Sequence, residues 1–490
     1  MKTIKVSGRR FIDSKGRHVI LNGVNMVYKG KMENGRISYI PRWNERDFRN
    51  LREWGFNVIR LGLIWNAVEP EPGVYNEKYL DWAEHMLNLC KENQIYVYLD
   101  MHQDLYGVEF GNGAPKWATI TDGQPHVEGE KWSDAYIFSG AVKRSFDNFW
   151  ANTTIEGNKG IQDYYIDMWL HVVKRFSNHS ALIGYDFMNE PYPGSLGQSI
   201  FQAILTKFAE LINKKNNSSM DAKDMLRIFS QESQMMDALE ILKDKCIFRE
   251  LAQAVEHLVE KFDRGDLGKF YNKISQAVRR IDKKSIIMRE NSYFSNIGIE
   301  CKAHPILLEN GQRDPEQAFS PHGYDFVVDT KETPYASNNR VDVIFDAHKR
   351  TQEKLDIPVL VGEWGAHYHY EDGLSHVEHI LSIFDKNLWS NTYWCYVDNF
   401  YNVPALDVLK RPYPQAVCGE ILEYEYNRRD KVFTMKWDES GHNATSIVYI
   451  PTKDFQLDMD GDYDIEHFED STIIKILPRG GYRALSITIK

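Results

Sequence analysis

Cysteine is scarce in this sequence of 490 residues, and its scarcity excludes a fold held together by disulfides. Five cysteines occur, an odd number, and none lies in a CxxC pair or at the spacing of a zinc site. Small secreted scaffolds that depend on disulfides are far richer in cysteine. We therefore interpret the cysteines as structural thiols of a chain in a reducing compartment.

Excess positive charge and long apolar runs are also missing. The formal net charge is −11, which argues against nucleic acid or an anionic membrane surface as a purely electrostatic partner, because both attract clustered Lys and Arg. No run approaches the ~18 apolar residues of a membrane-spanning helix, and the first twenty residues lack the apolar core of a signal peptide. We expect a chain without a transmembrane segment, either cytoplasmic or secreted with its leader absent from this sequence.

The common nucleotide and metal motifs are absent as well. Neither GxGxxG nor GxxxxGK[ST] follows the first predicted strand, which argues against a nucleotide-binding fold. There is no HExxH and no tight His/Asp cluster at the spacing of metal ligands. The sequence thus predicts neither a cofactor nor a metal site.

What the sequence does contain is a regular alternation of apolar runs and amphipathic segments. Continuous apolar runs separated by helices are typical of parallel strands buried on both faces. Eight such runs predict an α/β fold, the closed (β/α)₈ TIM barrel, rather than an open sheet. The predicted strands are residues 19–27, 57–65, 95–104, 182–190, 285–291, 318–326, 358–367 and 392–399, and the amphipathic segments include 76–92, 161–178, 341–355 and 374–388.

Two regions exceed a minimal barrel. Residues 194–284 are rich in Lys, Glu, Met and Leu at helical spacing, which predicts a helical insertion on the side where active-site loops lie. From about residue 420 the pattern alternates over short runs, which predicts an antiparallel β-sandwich. We therefore predict a catalytic barrel over residues 1–418, with the insertion at about 194–284, and a C-terminal β-sandwich domain over 419–490.

Two glutamates stand out because each follows an almost wholly apolar strand. Glu190 ends the fourth predicted strand in "GYDFMNEP", and Glu363 lies in "VLVGEWG" on the seventh. Strands four and seven lie across the mouth of a barrel, so both carboxylates can face one cleft. Retaining glycoside hydrolysis requires such a pair, one as proton donor and one as nucleophile. A structural ion pair and a metal site are the competing interpretations.

Several motifs resemble those of glycoside hydrolase family 5, a family of the clan A glycosidases. "DFMNEP" is similar to the acid/base motif and "VLVGEWG" to the nucleophile motif, with Arg60, His102, "SPHGYD" and Trp394 at matching strands. Within the family, "NGVNMVYKG", "MHQDLYG", "GLIWNAVEPEPGVYN" and "RPYPQAV" most resemble the endoglycoceramidase group, which includes endogalactosylceramidases and related glucosylceramidases. That group also carries a C-terminal β-sandwich. The insertion at 194–284 is longer than the resemblance leads us to expect.

The resemblance implies a role for each matching residue. Glu363 is the expected nucleophile and Glu190 the expected acid/base. Arg60 and Tyr324 are expected to orient Glu363, and His322 is expected to border Glu190. The sugar beside the scissile bond is expected to be bound by His102, Asp104 and Asn189. Trp394 is expected to lie beneath that sugar, and Lys29 to contact its hydroxyls. Arg60 should keep Glu363 ionised, and burial should raise the pKa of Glu190. His367 and His369 are interpreted as loop residues.

The expected activity is that of a retaining β-glycosidase that releases a sugar from a lipid aglycone. Ceramide is the first candidate for the aglycone, and the glycolipid substrate is expected to be presented from micelles or a membrane surface. A steryl β-glucosidase and a family 5 β-glycanase are the alternatives. A non-catalytic carbohydrate- or lipid-binding protein is a further alternative, which the complete set of matching residues argues against. The insertion is expected to contribute apolar helices to a lipid groove.

Overall fold

A computed structural model describes residues 1–33, 35–229, 231–328, 330–367 and 373–490. The α-helices are α1 (Glu45–Glu53), α2 (Trp65–Val68), α3 (Glu77–Glu92), α4 (Asp134–Phe138), α5 (Gly140–Trp150), α6 (Ile161–Phe176), α7 (Ser195–Asn216), α8 (Ala222–Phe229), α9 (Glu232–Glu240), α10 (Lys245–Arg264), α11 (Asp266–Arg279), α12 (Asn338–Leu355), α13 (Leu374–Asn387) and α14 (Leu406–Leu409).

The strands up to the barrel's last one are β1 (Ile4–Ser7), β2 (Arg10–Asp13), β3 (His18–Val19), β4 (Asn22–Met26), β5 (Lys31–Glu33), β6 (Arg36–Ser38), β7 (Val58–Ile64), β8 (Tyr96–His102), β9 (Thr154–Glu156), β10 (Lys159–Gly160), β11 (Leu182–Asp186), β12 (Ile286–Arg289), β13 (Gln317–Phe319), β14 (His322–Gly323), β15 (Leu360–Val361), β16 (Glu363–Trp364) and β17 (Ser390–Tyr393). The C-terminal strands are β18 (Tyr413–Val417), β19 (Glu420–Asn427), β20 (Val432–Asp438), β21 (Ser446–Ile450), β22 (Phe455–Met459), β23 (Tyr463–His467), β24 (Thr472–Ile476) and β25 (Tyr482–Ile489).

A parallel barrel forms the centre of the molecule and confirms the predicted fold. Its strands follow the order β13-β12-β11-β8-β7-β4-β17-β15, and a parallel bridge between Phe319 and Val359 closes the ring. Nearly every residue of β7 and β8 is buried, because one face meets the barrel interior and the other meets the surrounding helices. The carboxyl ends of the strands consequently meet at one mouth of the barrel.

The seventh predicted strand is split into two short pairings at this mouth. β15 pairs with β17, whereas β16 pairs with β14, so that Glu363 lies opposite His322. This register places a predicted catalytic carboxylate directly beside a predicted supporting histidine.

The insertion is helical, as its spacing predicts. Helices α7 to α11 occupy it, and α10 packs against α7, α11 and α12. Asp244 begins α10 as its N-cap, because its carboxylate accepts the N–H of Cys246 at 2.9 Å. The apolar faces form a core of their own that includes Phe208, Phe248 and Leu251.

The C-terminal unit is a sandwich of two antiparallel sheets. One has the order β19-β20-β25-β22, and the other β1-β2-β3-β18-β21-β24-β23. The first hairpin of the chain thus belongs to a C-terminal sheet, joined where β3 pairs with β18. Burial alternates along β20 and β25, so one face of each strand meets a shared core around Trp437. The domain division at 418/419 stays a prediction.

Among the described residues, no helix combines the length and the apolar character needed to cross a bilayer.

Candidate active site

Glu190 and Glu363 lie together at the mouth of the barrel, as the sequence predicts. An oxygen of each carboxylate and a ring nitrogen of His322 lie within 4.8 Å of one another. Glu363 begins β16, and Glu190 follows β11 in the loop that Pro191 continues. Both side chains are almost completely buried. Two carboxylates from opposite strands therefore share one site.

Glu363 is held by donors on both carboxylate oxygens. Arg60 Nη1 donates to Oε1 at 2.6 Å, and the Tyr324 hydroxyl donates to Oε2 at 3.0 Å. The Nδ1 atom of His322 lies 3.5 Å from Oε2. Two positive groups and a hydroxyl thus face this carboxylate and fix its orientation.

Glu190 is held differently, by donors that face one oxygen only. Asn296 Nδ2 donates to Oε1 at 2.8 Å, and His322 Nδ1 lies 3.1 Å from the same atom. The backbone of Glu190 is left-handed, with φ +46°, and its N–H donates to Glu290 at 2.7 Å. Such a conformation persists in a non-glycine residue only where its surroundings fix it, and this often happens at functional sites. Glu290 supplies that restraint here.

Burial is the main reason why the pKa of Glu190 is raised, although the nearby His322 acts in the opposite direction. This confirms the direction expected for a general acid. Burial alone would lower the pKa of His322, but the charges of Glu290 and Glu363 outweigh it and raise that pKa well above its ordinary value. His322 is therefore an imidazolium, with both ring nitrogens available as donors.

Arg60 lies beneath the site in a cage of carboxylates. Its Nη2 atom is 2.8 Å from Glu290, 2.9 Å from Asp186 and 3.0 Å from Asp100, and it also donates to Asn189 Oδ1 at 2.9 Å. Burial and the charge of Glu290 raise the pKa of Asp186 well above its usual range. The guanidinium is completely buried and cannot turn away from Glu363.

A second set of polar side chains lies around Trp394 in the wall of the cleft. Lys29 Nζ lies 2.6 Å from Asp104 and 5.1 Å from the centre of the Trp394 ring. His102 stacks on Trp394 at 5.2 Å and contacts Asp100 through Nδ1 at 2.9 Å. Burial disfavours its charged form, but Asp100 and Asp104 outweigh this and raise the pKa of His102 to about 9. Its Nε2 atom has no hydrogen-bond partner in the described part of the chain.

The structure brings all of the predicted site residues together. Those that line the cleft are Lys29, His102, Asp104, Asn189, Glu190, Tyr324, Glu363 and Trp394. Arg60 and His322 lie just behind its wall. His367 is buried, and its N–H donates to the Tyr393 hydroxyl at 2.8 Å. His369 lies outside the described residues.

The prediction missed four residues that hold these groups: Asp100, Asp186, Glu290 and Asn296. Three of them are charges within or directly after apolar strands, β8, β11 and β12. A buried charge in such a run is a detectable signal, because it demands a partner. Asn296 lies in a short 3₁₀ helix after β12 and offers no comparable pattern.

Two acidic groupings have the donor atoms of a metal site, Glu190–His322–Glu363 and Asp100–Asp186–Glu290. In the second grouping the Arg60 guanidinium already contacts all three carboxylates, so a cation is built into the chain. In the first, His322 serves as the cation between the glutamates. That the site needs no metal stays a prediction.

Two cavities meet beside Glu190. The cleft above the glutamates has a volume of about 780 Å³. Next to it lies a mainly apolar pocket of about 660 Å³, whose wall includes Phe201, Phe208, Leu226, Leu242 and Phe248 of the insertion. Tyr293 and Ile297 line both. An apolar chamber thus adjoins the carboxylate pair on the side of Glu190.

Two family profiles match separate parts of the chain. The family profile described as cellulase (glycosyl hydrolase family 5) matches residues 12–222 and 252–400. The profile of the glycoside hydrolase family 5 C-terminal domain matches residues 411–479. The segment 223–251, which supplies α8, α9 and part of the apolar pocket, falls between the two matched parts of the barrel.

Among curated relatives, an endoglycoceramidase of Cyanea nozakii is 30% identical over 213 residues, which cover 38% of this chain and 41% of that protein. A glucosylceramidase of Rhizopus delemar is 25% identical over 247 residues, 40% of this chain and 36% of that protein. The chain therefore matches about two fifths of the length of these relatives.

Among solved structures, endo-glycoceramidase II from Rhodococcus sp. has a TM-score of 0.73 and 24% identity, covering 99% of this chain and 100% of that chain. Sterylglucosidase 1 of Cryptococcus neoformans has a TM-score of 0.73 and 16% identity, covering 100% of this chain and 97% of that chain. At these identities the likeness shows a common fold over the whole length.

Proposed function

Because the chain belongs to glycoside hydrolase family 5, we propose that it is a retaining β-glycosidase that cleaves the bond between a sugar and a lipid aglycone, with ceramide as the first candidate for that aglycone. The observation that carries this proposal is the pairing of Glu190 with Glu363 at the mouth of the barrel, each with its own set of donors. The relatives named endoglycoceramidase and glucosylceramidase support the choice of aglycone.

The two steps of the proposed reaction follow from the different surroundings of Glu363 and Glu190. In the first step a carboxylate oxygen of Glu363 attacks the anomeric carbon, the glycosidic C–O bond breaks, and Glu190 transfers its proton to the departing aglycone oxygen. In the second, Glu190 takes a proton from water, whose oxygen attacks the same carbon and releases Glu363. His322, as an imidazolium, stabilises Glu190 in the interval when it is a carboxylate. Two inversions leave the sugar product in the β configuration.

The spacing of the glutamates favours retention over inversion. Retaining enzymes hold their carboxyl groups about 5–5.5 Å apart, whereas inverting enzymes leave about 6.5–9.5 Å for a water molecule. Here oxygens of Glu190 and Glu363 lie within 4.8 Å of each other. This proximity supports the retaining arrangement.

The polar wall around Trp394 is suited to the sugar. The indole offers an apolar face to the ring, and His102 lines the cleft beside it, with Nε2 3.7 Å from Asp104. Asp104 and Lys29 form an ion pair at 2.6 Å, so they offer an acceptor and a donor to neighbouring hydroxyls. Asn189, fixed by Arg60 at 2.9 Å, extends its amide to the hydroxyl next to the anomeric carbon.

The aglycone lies on the side of Glu190, because the acid must reach the oxygen that leaves. On that side the cleft opens into the apolar pocket formed by the insertion. A polysaccharide would place another hydrophilic sugar there, and burial of its hydroxyls without partners is unfavourable. The pocket therefore favours a lipid glycosidase over a β-glycanase, and a steryl β-glucosidase is the second candidate.

We further propose that the glycolipid enters from a micelle or a membrane surface. Trp132, Phe138 and Leu226 are each more than one third exposed and line the cleft or the apolar pocket. Apolar side chains in such a position can enter the edge of a lipid layer. For the site of action we propose the cytoplasm, which the few and unpatterned cysteines favour, or the exterior after loss of a leader.

Mass spectrometry of the products from lactosylceramide and glucosylceramide tests the proposal. Release of intact lactose shows cleavage at the ceramide bond, whereas turnover of glucosylceramide alone shows a sugar site closed beyond one residue. Proton NMR of the first-formed sugar should show the β anomer. Glu363→Gln should be inactive and the exposed Glu423→Gln fully active. Failure to cleave either lipid contradicts ceramide as aglycone, and steryl glucosides become the next substrates to measure.

A further inference from the structure

The passage between the cleft and the apolar pocket has two chemically different walls. We call this passage the neck and define it by the residues that line both cavities: Lys131, Ser133, Asp134, Phe229, Met235, Leu239, Tyr293, Ile297 and Phe326. Any aglycone that leaves the catalytic glutamates must cross it before reaching the apolar pocket. The neck therefore contacts the atoms nearest to the glycosidic oxygen.

One wall of the neck is polar and belongs to two segments. Lys131, Ser133 and Asp134 come from the turn before α4 and from its first residue, and all three are half-buried. The Asp134 carboxylate fixes the turn by accepting the N–H of Lys131 at 3.0 Å. Tyr293 comes from the loop after β12. These side chains together offer an ammonium, a carboxylate and two hydroxyl groups.

The other wall is apolar and comes mainly from the insertion. Phe229 ends α8, Met235 and Leu239 lie on α9, and Phe326 follows β14. The only polar contact across the neck within the described residues is a weak one, from Lys131 Nζ to Met235 Sδ at 3.6 Å. A thioether is a poor acceptor, so the ammonium remains available to a ligand.

Tyr293 is the polar group nearest to the chemistry. Its N–H donates to the carbonyl of Pro191 at 3.0 Å, which ties it to the loop that carries Glu190. Its hydroxyl has no hydrogen-bond partner among the residues that the structure describes, although the side chain is half-buried between both cavities. Besides burial, the negative charges of Glu190, Asp104 and Asp134 raise its pKa, so the hydroxyl keeps its proton and can donate.

We infer that the neck is a recognition site for hydrogen-bonding groups on the aglycone, with Tyr293 and Lys131 as its principal donors and Asp134 as its acceptor. A sphingoid lipid carries an amide and a hydroxyl within three carbons of the glycosidic oxygen, and these meet the polar wall while the chains pass along the apolar one. A sterol has no polar group there, so it would cover the wall and separate these donors from water without giving them partners, which is unfavourable. The neck thus selects ceramide over sterol. This inference rests on the proposed function.

A comparison of two substrates in the same mixed micelles tests the inference. We expect Tyr293→Phe to lower the ratio of kcat/KM for glucosylceramide to kcat/KM for cholesteryl β-glucoside about ten-fold, mostly through KM. This equals about 1.4 kcal/mol, within the range of one net hydrogen bond. Lys131→Met should change the ratio in the same direction. Tyr482→Phe, at a highly exposed tyrosine of β25, is the matched control and should leave the ratio as in the wild type.

A second readout needs no turnover. Binding of hexanoyl-ceramide to the intact chain, measured by calorimetry, should weaken several-fold in Tyr293→Phe and remain unchanged in Tyr482→Phe. Equal losses on both glucosides, or none on either, overturn the inference, as does ceramide binding that ignores Tyr293. A wild-type chain that cleaves neither of these glucosides nor lactosylceramide refutes the proposed function instead, and the binding experiment then decides separately whether the neck recognises ceramide.

Discussion

At the residue scale, two glutamates of the same chemistry receive opposite tasks from their neighbours. Glu363 accepts from Arg60 and Tyr324 on separate oxygens, which suits an anion that must attack. Burial raises the pKa of Glu190, which suits an acid that must still hold its proton near neutral pH. His322 lies close to both carboxylates, with Nδ1 3.1 Å from Glu190 and 3.5 Å from Glu363.

This division predicts a leaving-group effect for Glu190→Gln. The variant should lower kcat on a lipid glycoside about 10²–10⁴-fold, the usual contribution of general acid–base catalysis. A dinitrophenyl glycoside needs no proton to leave, so it should still give a burst of phenolate in stopped-flow absorbance. Azide should then accelerate turnover and yield a β-glycosyl azide. A variant that loses the burst as completely as Glu363→Gln contradicts the assignment of Glu190 as the acid.

The raised pKa of His102 predicts that the stability of the folded chain decreases as the pH rises into the alkaline range. Its pKa is about 9 in the folded chain and about 6.5 when unfolded, so the folded state binds the proton more tightly. The stabilisation is fully present below pH 6.5 and is lost as the pH rises through 9. Urea unfolding between pH 6.5 and 9.5 should therefore show a smaller decline for His102→Gln than for the wild type. The exposed His442→Gln is the control, and parallel curves for His102→Gln and wild type contradict the prediction.

The sequence identified the reacting residues better than the residues that hold them. Glu190 and Glu363 could be predicted because each carboxylate follows an apolar strand at a barrel mouth. Glu290 and Asp186 both contact Arg60, which lies on another strand far away in sequence. Such a cage depends on four strands meeting in space, and no local pattern records which charges will converge.

At the element scale, the barrel strands and the helices of the insertion follow their sequence patterns closely. The apolar pocket was less predictable, since its wall combines α7 to α10 with the segment around α4 and the loop after β12. Amphipathic spacing shows that each helix has an apolar face. It does not show which faces remain apart from one another and leave a cavity.

Helix α8 offers a test of that cavity. Leu226 is 38% exposed and lines the apolar pocket, so a charge there should disturb lipid binding without entering the core. We expect Leu226→Glu to lower the ratio of kcat/KM for glucosylceramide to that for an aryl glucoside about ten-fold, the loss of ~1.4 kcal/mol from partial burial of one leucine. Leu422→Glu on β19, 48% exposed, is the matched control. An unchanged ratio in Leu226→Glu contradicts a role of this pocket in lipid binding.

At the scale of the whole molecule, the N-terminal hairpin and part of the C-terminal region belong to one sheet. The alternating pattern of the tail predicts a sandwich, and a hairpin is expected near residue 14. Their pairing joins β3 to β18 across almost four hundred residues, and neither segment specifies its distant partner. The C-terminal unit also contacts the barrel through Tyr413, whose hydroxyl donates to the carbonyl of Gly55 at 2.6 Å.

Substitution of Gly55 tests how much the contact between the barrel and the C-terminal unit contributes to the free energy of unfolding. Its φ is +88°, and an added Cβ would lie 2.4 Å from the ring of Tyr449 on β21. Gly8 provides the matched control, because its φ is +56° but no atom lies within 4 Å of the added Cβ. Gly8→Ala should lower the free energy of unfolding by about 1–2 kcal/mol, the cost of a left-handed alanine. Gly55→Ala should lose ~1–3 kcal/mol more, since the ring must also move. Urea denaturation followed by tryptophan fluorescence measures both, and equal losses in the two variants show that the barrel tolerates displacement of the C-terminal sheet at this point.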